Sequence, residues 1–208
     1  KLIRDEGEAI HYCPNELSCP PQIKGKIEHF IGRKAMDIDG LGEETIDLLF
    51  KEGLVHNIAD LYDLKKEQVL PLERMADKSA DKLLKGIEDS KTTPFEKVLF
   101  ALAIRHVGET VAKKLAIYFK NIDALMNASI DELMVVDEIG KKVGQSLIIF
   151  FNENRNMELL ERLKSAGLKF ELSEEQLSKA SDKLNGLTFV ISGVFSKFSR
   201  DELKNAIE

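Results

Sequence analysis

Two kinds of residue in this 208-residue sequence have types and spacing that could do chemistry. Cys13 and Cys19 are the only cysteines, separated by five residues, and thiolates are ligands for soft metals such as zinc. Two thiols cannot fill a tetrahedral site, so on their own they read as unliganded thiols, or as one local disulfide formed by oxidation. The second kind is glycine in a repeated setting. The string Ile38-Asp39-Gly40-Leu41-Gly42 has counterparts in Leu72-Glu73-Arg74-Met75-Ala76, Ile104-Arg105-His106-Val107-Gly108 and Val136-Asp137-Glu138-Ile139-Gly140, at intervals of 34, 32 and 32 residues. Each is followed at fixed offsets by a small or β-branched residue and an apolar one, such as Thr45, Ile46 and Leu49, or Val143, Gly144 and Leu147. Apolar–x–turn–apolar–small followed by a helical pattern describes two helices joined by a tight hairpin. Glycine at the fifth position lets the backbone take positive φ, or lets another backbone or a ligand come close. The second helix starts there, so its unpaired N–H groups and positive dipole end face outward. That is an anion site for phosphate which needs no basic side chain.

The elements that must position these hairpins are helices. Thr93-Pro94-Phe95-Glu96 combines an N-cap, a proline at the first helical position and a following glutamate. Ser129-Ile130-Asp131-Glu132 is a capping box, and Ser173-Glu174-Glu175-Gln176 is a weaker one. Apolar stripes at Leu99, Leu102 and Ala103, and at Val111 and Leu115, have helical spacing. Helix signals dominate from about residue 22 to 170. Strand signals lie at the ends, in Ala9-Ile10-His11-Tyr12 and in Leu187-Thr188-Phe189-Val190-Ile191-Ser192 between Gly186 and Gly193. Glu171 to Lys183 is polar and reads as a linker or exposed helix. The aromatic pair Phe150-Phe151 reads as core.

Composition narrows the function. Hydrophobic residues make up 43% and charged ones 32%, as in a folded protein rather than a disordered tail. No stretch is apolar enough to span a membrane, and Lys1-Leu2-Ile3-Arg4-Asp5 is no signal peptide. With few cysteines the expected setting is a reducing cytoplasm, and without an initiating Met the chain is expected to be a fragment. Thirty basic residues against 36 acidic ones give a net charge of −6, which excludes a protein that grips nucleic acid by sheer positive charge. Residues 1–60 carry 7 basic and 12 acidic side chains, and residues 101–150 carry 6 of each, so no basic block exists to replace backbone amides.

The repeat is similar to the helix-hairpin-helix motif, which grips the DNA backbone without sequence preference. Its fourfold occurrence, after Cys13-Pro14-Asn15 and Cys19-Pro20 and before Gly186-Leu187-Thr188-Phe189-Val190-Ile191-Ser192-Gly193, resembles the C-terminal half of bacterial NAD-dependent DNA ligases. Arg33-Lys34-Ala35-Met36-Asp37-Ile38-Asp39-Gly40-Leu41-Gly42, Lys78-Ser79-Ala80, Ile104-Arg105-His106-Val107-Gly108-Glu109-Thr110 and Ser199-Arg200-Asp201 carry the match, which covers essentially the whole chain.

The resemblance implies a mainly α fold. Residues 1–25 would be the C-terminal half of a four-cysteine zinc-finger β-ribbon and 26–172 a tandem helix-hairpin-helix domain. Residues 173–183 would be a linker and 184–208 the truncated α/β start of a BRCT domain. Cys13 and Cys19 would be two of four ligands to a structural zinc. DNA-contacting residues would be Gly40, Leu41, Gly42, Lys78, Arg105, His106, Val107, Gly108, Ile139, Gly140 and Lys141. The partner would be nicked double-stranded DNA, clamped beside a catalytic domain in cis that uses NAD and magnesium to seal nicks in replication and repair. That domain's adenylated lysine, in a Lys-x-Asp-Gly motif, has no counterpart: the Asp-Gly here is Asp39-Gly40, with Asp37 in the lysine's place. The fragment alone is expected to bind DNA without sealing it.

Departures from the family pattern grade the hairpins. Ala76 replaces the second hairpin's glycine, His106 and Glu138 replace the first glycine of the third and fourth, and Ala103 stands where glycine is common. The first hairpin is therefore expected to be the best phosphate site and the second the poorest. Gly40-Leu41-Gly42 is not a dinucleotide fingerprint, because Thr45 holds the third glycine position after a helix rather than a strand. Asp37-x-Asp39-Gly40 is no EF-hand loop, with Ala35 and Ile46 at ligand positions. A helix-hairpin-helix module of another repair protein and a protein-binding helical scaffold of similar period remain as alternatives.

Overall fold

Helix breaks in this chain fall where the repeat places them. In a computed structural model, residues 18–179 are described continuously, together with 2–4, 9, 11, 13–15, 190–193, 195, 197–199 and 203. The expected strands at 9–12 and 187–192 fall largely outside the described residues. The chain divides into two units, residues 1–172 and 173–208.

In the first unit, α1 (Pro20–Ile31) leads through residues 38–42 into α2 (Glu43–Lys51). A 3₁₀ helix (Ile58–Asp63) and α3 (Lys66–Val69) lead through 72–76 into α4 (Asp77–Ser90). Next, α5 (Phe95–Ala101) leads through 104–108 into α6 (Glu109–Phe119). After α7 (Ile122–Met126), α8 (Ile130–Val135) leads through 136–140 into α9 (Lys141–Asn152), and α10 (Asn154–Ser165) follows. Among the described residues the fold is helical, with Asn121 and Glu171 forming an isolated antiparallel bridge. The second unit begins with α11 (Glu174–Lys179). Note that α1 runs unbroken across the junction expected at residues 25–26.

Local signals explain most helix starts. Ser129 Oγ accepts from the Glu132 amide while Glu132 Oε2 accepts from the Ser129 amide at 2.8 Å, which completes the expected box. The Ser129 amide most of all, and then the Ser129 hydroxyl donating to the same Oε2 at 2.8 Å, favour the charged carboxylate and hold Glu132 below the usual range. Ser173 and Gln176 form the weaker box in the same way, at 3.1 and 3.2 Å. Asn57 and Asp60 build a further box at the start of the 3₁₀ helix. At 93–96 the start lies one residue later than expected. Pro94 sits at the cap with φ −70° and ψ 156°, and its carbonyl accepts the first helical bond from Val98 at 3.1 Å.

The first unit has one continuous core. Phe30, Met36, Leu49, Leu83, Phe95 and Leu115 are each nearly or fully excluded from solvent, and burial of such side chains supplies most of the stabilisation. Phe151 is buried and Phe150 partly so, the rings meeting edge to face at 5.4 Å. Tyr62 packs beside Phe30, its hydroxyl 2.9 Å from Ser90 Oγ. Because Ser90 Oγ donates to the Ile87 carbonyl at 2.6 Å, Tyr62 must be the donor in that pair. Arg162 of α10 reaches back to Asp60 at 2.8 Å and Asp63 at 2.5 Å, tying the end of this unit to its middle.

Candidate nucleic-acid interface

All four hairpins share one backbone design. Their third residues, Gly40, Arg74, His106 and Glu138, have φ of 87°, 63°, 66° and 65°. In three of them the fourth residue's amide donates to the first residue's carbonyl, at 3.1 Å for Met75 to Leu72 and 3.0 Å for Val107 to Ile104 and Ile139 to Val136. Positive φ at the third position is the type II turn requirement, which glycine meets freely. The side chains at Arg74, His106 and Glu138 each cost roughly 1–2 kcal/mol there. Gly40 is also needed for packing, since a Cβ on it would lie 3.0 Å from the Leu83 backbone. Across that contact, a Cβ on Gly86 would come within 2.2 Å of the Asp39 carbonyl oxygen.

The fifth residues behave differently. Gly42, Ala76, Gly108 and Gly140 are the N-caps of α2, α4, α6 and α9, with φ of −136°, −121°, −83° and −84° and ψ between 168° and 178°. Any residue adopts this extended backbone, and Ala76 does. Of the two reasons considered for glycine here, positive φ is therefore excluded. Nor is it required for internal packing, since nothing lies within 4 Å of a Cβ added to Gly42, Gly108 or Gly140. None of these caps makes a side-chain bond to the helix it starts. The amides of each first turn are open to solvent and to whatever approaches them.

The other expected contact residues divide by burial. Gly40, Lys78, Arg105, His106 and Lys141 are exposed, whereas Leu41 is half-buried and Val107 and Ile139 are buried in the core. Val107 and Ile139 also spend their amides inside their own turns, so they present neither side chain nor N–H group to an outside partner. Lys78 and Lys141 form no ion pair among the described residues. Acidic residues open α2 (Glu43 and Glu44), α4 (Asp77) and α6 (Glu109), but α9 opens with Lys141 and Lys142. A negative side chain at a helix N-terminus competes with any incoming anion. Of the four first turns that follow the hairpins, that of α9 alone carries no acidic side chain.

The hairpins are also paired reciprocally. Asp39 of the first meets Lys82 of α4 at 3.6 Å, and Arg74 of the second meets Glu44 of α2 at 3.3 Å. His106 of the third meets Ser146 of α9 at 3.0 Å, and Asp137 and Glu138 of the fourth meet Lys114 of α6 at 2.6 and 3.2 Å. The Lys114 ammonium depresses the Asp137 carboxyl, and Asp137 in turn raises the lysine. Lys82, Lys114 and Ser146 each stand six residues after their helix's cap. That offset is visible in the sequence, but only after the hairpins are known to pair. Lys34 adds a link from the first pair to the second, 3.1 Å from Glu109.

Cys13 and Cys19 are half-exposed and free, and Cys19 caps α1. A hydrogen bond from the Asn15 amide, and a lesser one with Cys19, lower the Cys13 thiol's pKa. Two adjacent thiols, one biased toward thiolate, fit half of a tetrahedral zinc site. Among the described residues no group of three or more His, Cys, Asp or Glu could hold a metal. His29 donates from Nε2 to the Phe100 carbonyl at 2.9 Å and is a structural residue.

Four helix pairs joined by type II turns, with bare amides at each following helix, define a helix-hairpin-helix array. Residues 97–160, which hold the third and fourth hairpins, match the helix-hairpin-helix motif family. A more particular likeness extends to both ends of the chain. Residues 1–20 match the NAD-dependent DNA ligase C4 zinc finger domain. All 208 residues align with the DNA ligases of Flavobacterium johnsoniae at 62% identity and Phocaeicola vulgatus at 58%, and 207 align with that of Porphyromonas gingivalis at 48%. The resemblance to DNA ligases thus runs along the whole chain, which spans 31% of the length of these relatives, and residues 1–20 give it its NAD-dependent character. Among the described residues no helix is long and apolar enough to cross a membrane.

Proposed function

We propose that this chain is the DNA-binding region of an NAD-dependent DNA ligase and holds duplex DNA, without sequence preference, through the amides of its hairpins. The observation that carries this reading is the glycine at Gly42, Gly108 and Gly140. Neither backbone conformation nor internal packing asks for glycine there, and close approach by an outside group gives it a use beyond its moderate N-cap preference. Open amides at the positive end of a helix suit a phosphate oxygen. Gly40, Arg105, His106 and Lys141 would lie beside that phosphate path, as would Lys78 at the poorer second hairpin. Val107 and Ile139 would brace their turns, their side chains being buried and their amides already donated within the hairpin, and Leu41 would contribute little beyond backbone.

In the whole cytoplasmic enzyme, a catalytic domain in cis would take AMP from NAD onto its lysine and pass it to the 5′-phosphate of a nick with magnesium. The 3′-hydroxyl would then displace it. This region would keep the nicked duplex in place during those steps and should not seal nicks by itself. Cys13 and Cys19 would supply two of the four thiolates of a structural zinc.

The test is a titration of the chain against nicked and intact duplexes of two unrelated sequences, at low and moderate salt. Sequence-independent binding with a shallow salt slope, reflecting ~3–5 phosphates, is expected, with a preference for the nick. Failure to bind at low salt would overturn the reading in favour of a protein-binding scaffold.

A further inference from the structure

A left-handed residue other than glycine persists where the surroundings or the function hold it there. In this chain three such residues occupy the same hairpin position, and each extends its side chain to the helix after the opposite hairpin. Arg74 reaches Glu44, His106 reaches Ser146, and Glu138 reaches Lys114. Glycine at these positions would relieve the backbone but remove the link.

The links are too exposed to serve as stabilisers. Asp137 and Glu138 side chains are 87% and 56% accessible, and ion pairs in water contribute little to folding. Geometry is what remains for them to supply. Two phosphate sites act together only when their separation matches the ligand, and a fixed separation raises the effective concentration of the second contact.

We infer that the Asp137–Glu138–Lys114 cluster and the His106–Ser146 bond are latches that hold the third and fourth hairpins in register, so that both engage one duplex at once. Asp137, Glu138, His106 and Ser146 are then positioning residues. Ser146 Oγ, whose proton goes to the Lys142 carbonyl at 3.0 Å, accepts from His106 Nδ1 and fixes that ring against α9. The inference rests on the DNA-binding reading above.

Charge makes the test sharp. Asp137→Asn with Glu138→Gln removes two negative charges from a hairpin that would face DNA. Electrostatics alone then demands tighter binding. The latch demands weaker binding to duplex, by about tenfold, with the thermal midpoint unchanged and binding to a flexible single-stranded oligonucleotide undiminished. Ser146→Ala changes no charge and leaves the hairpin sequence intact, and it should weaken duplex binding in the same direction. Duplex affinity that is unchanged or raised in the first variant overturns the latch. Wild-type chain that fails to bind duplex at low salt removes the DNA reading itself, a separate and distinguishable result.

Discussion

Replacing Gly140 by valine separates what the fold needs from what a bound phosphate would need. The backbone at this position, φ −84° and ψ 173°, already suits a β-branched residue, and an added Cβ meets nothing within 4 Å. Losing glycine from an N-cap costs about 0.5–1 kcal/mol. The narrower conformational freedom of the unfolded chain returns about 0.4–1 kcal/mol. Stability should therefore stay within about 0.5 kcal/mol of the parent, and the urea midpoint should hardly move. DNA binding is a different matter if the first-turn amides of α9 hold a phosphate, because the valine methyls then occupy space its oxygens require. One hydrogen bond to a charged group is worth roughly 1.5–3 kcal/mol, a loss of about 10- to 100-fold in affinity. The slope of log K against log salt should fall by about 0.9, one phosphate fewer. Fluorescence anisotropy of a labelled duplex at three salt concentrations, with circular-dichroism melts of the same samples, measures both. Unchanged affinity and slope would refute the amide contact. A collapse in stability would refute the premise, placing the reason for glycine inside the fold. Ala76 is an internal control, since it holds a methyl group in the same conformation at the second hairpin.

Ala103, half-buried at φ 53° just past α5, should tolerate glycine with a gain of about 1 kcal/mol in urea unfolding, and a loss would mean that its methyl contact outweighs the strain. Tyr62 is raised to about 12 by burial, against a smaller opposing effect from Ser90. A raised folded-state pKa gives stability that is full below the ordinary value near 10 and lost as pH climbs toward 12, on the order of 2 kcal/mol. Tyr62→Phe should remove that part of the alkaline decline, and identical pH profiles for the two proteins would show that the phenol does not report on folding.

Local features were legible in the sequence where a single turn of chain decides them. Ser129 with Glu132 and Ser173 with Gln176 cap their helices because each partner lies three residues from the other, within reach whatever the tertiary fold. The hairpin repeat was legible for the same reason. Its geometry was less so, because glycine has several uses that one letter does not distinguish. Gly40 takes positive φ and packs on α4, while Gly108 and Gly140 do neither. The turn's demand for positive φ falls instead on His106 and Glu138, where no glycine marks it. Their contacts lie 40 and 24 residues away in sequence, and Arg162 meets Asp60 across 102 residues. No periodicity encodes such pairings; they follow from how buried helix faces pack.

The distribution of ion pairs bears on how an acidic chain would hold a polyanion at all. Lys34 is paired with Glu109, Arg74 with Glu44, Lys82 with Asp39 and Lys114 with Asp137. A phosphate drawing on any of these cations must first compete with its carboxylate, so the net attraction is small and the freed acid then repels the same phosphate. Backbone amides carry no such opponent, except where an acidic side chain shares their first turn, as Glu43, Asp77 and Glu109 do. At α9 that opponent is missing, and among the described residues Lys141 forms no ion pair. On the DNA-binding reading the grip would therefore be strongest at the fourth hairpin and weakest at the second, where Ala76 and Asp77 obstruct the approach together. Binding spread over a few amide-held phosphates would also favour fit over charge, as the proposed recognition of duplex shape without regard to sequence requires.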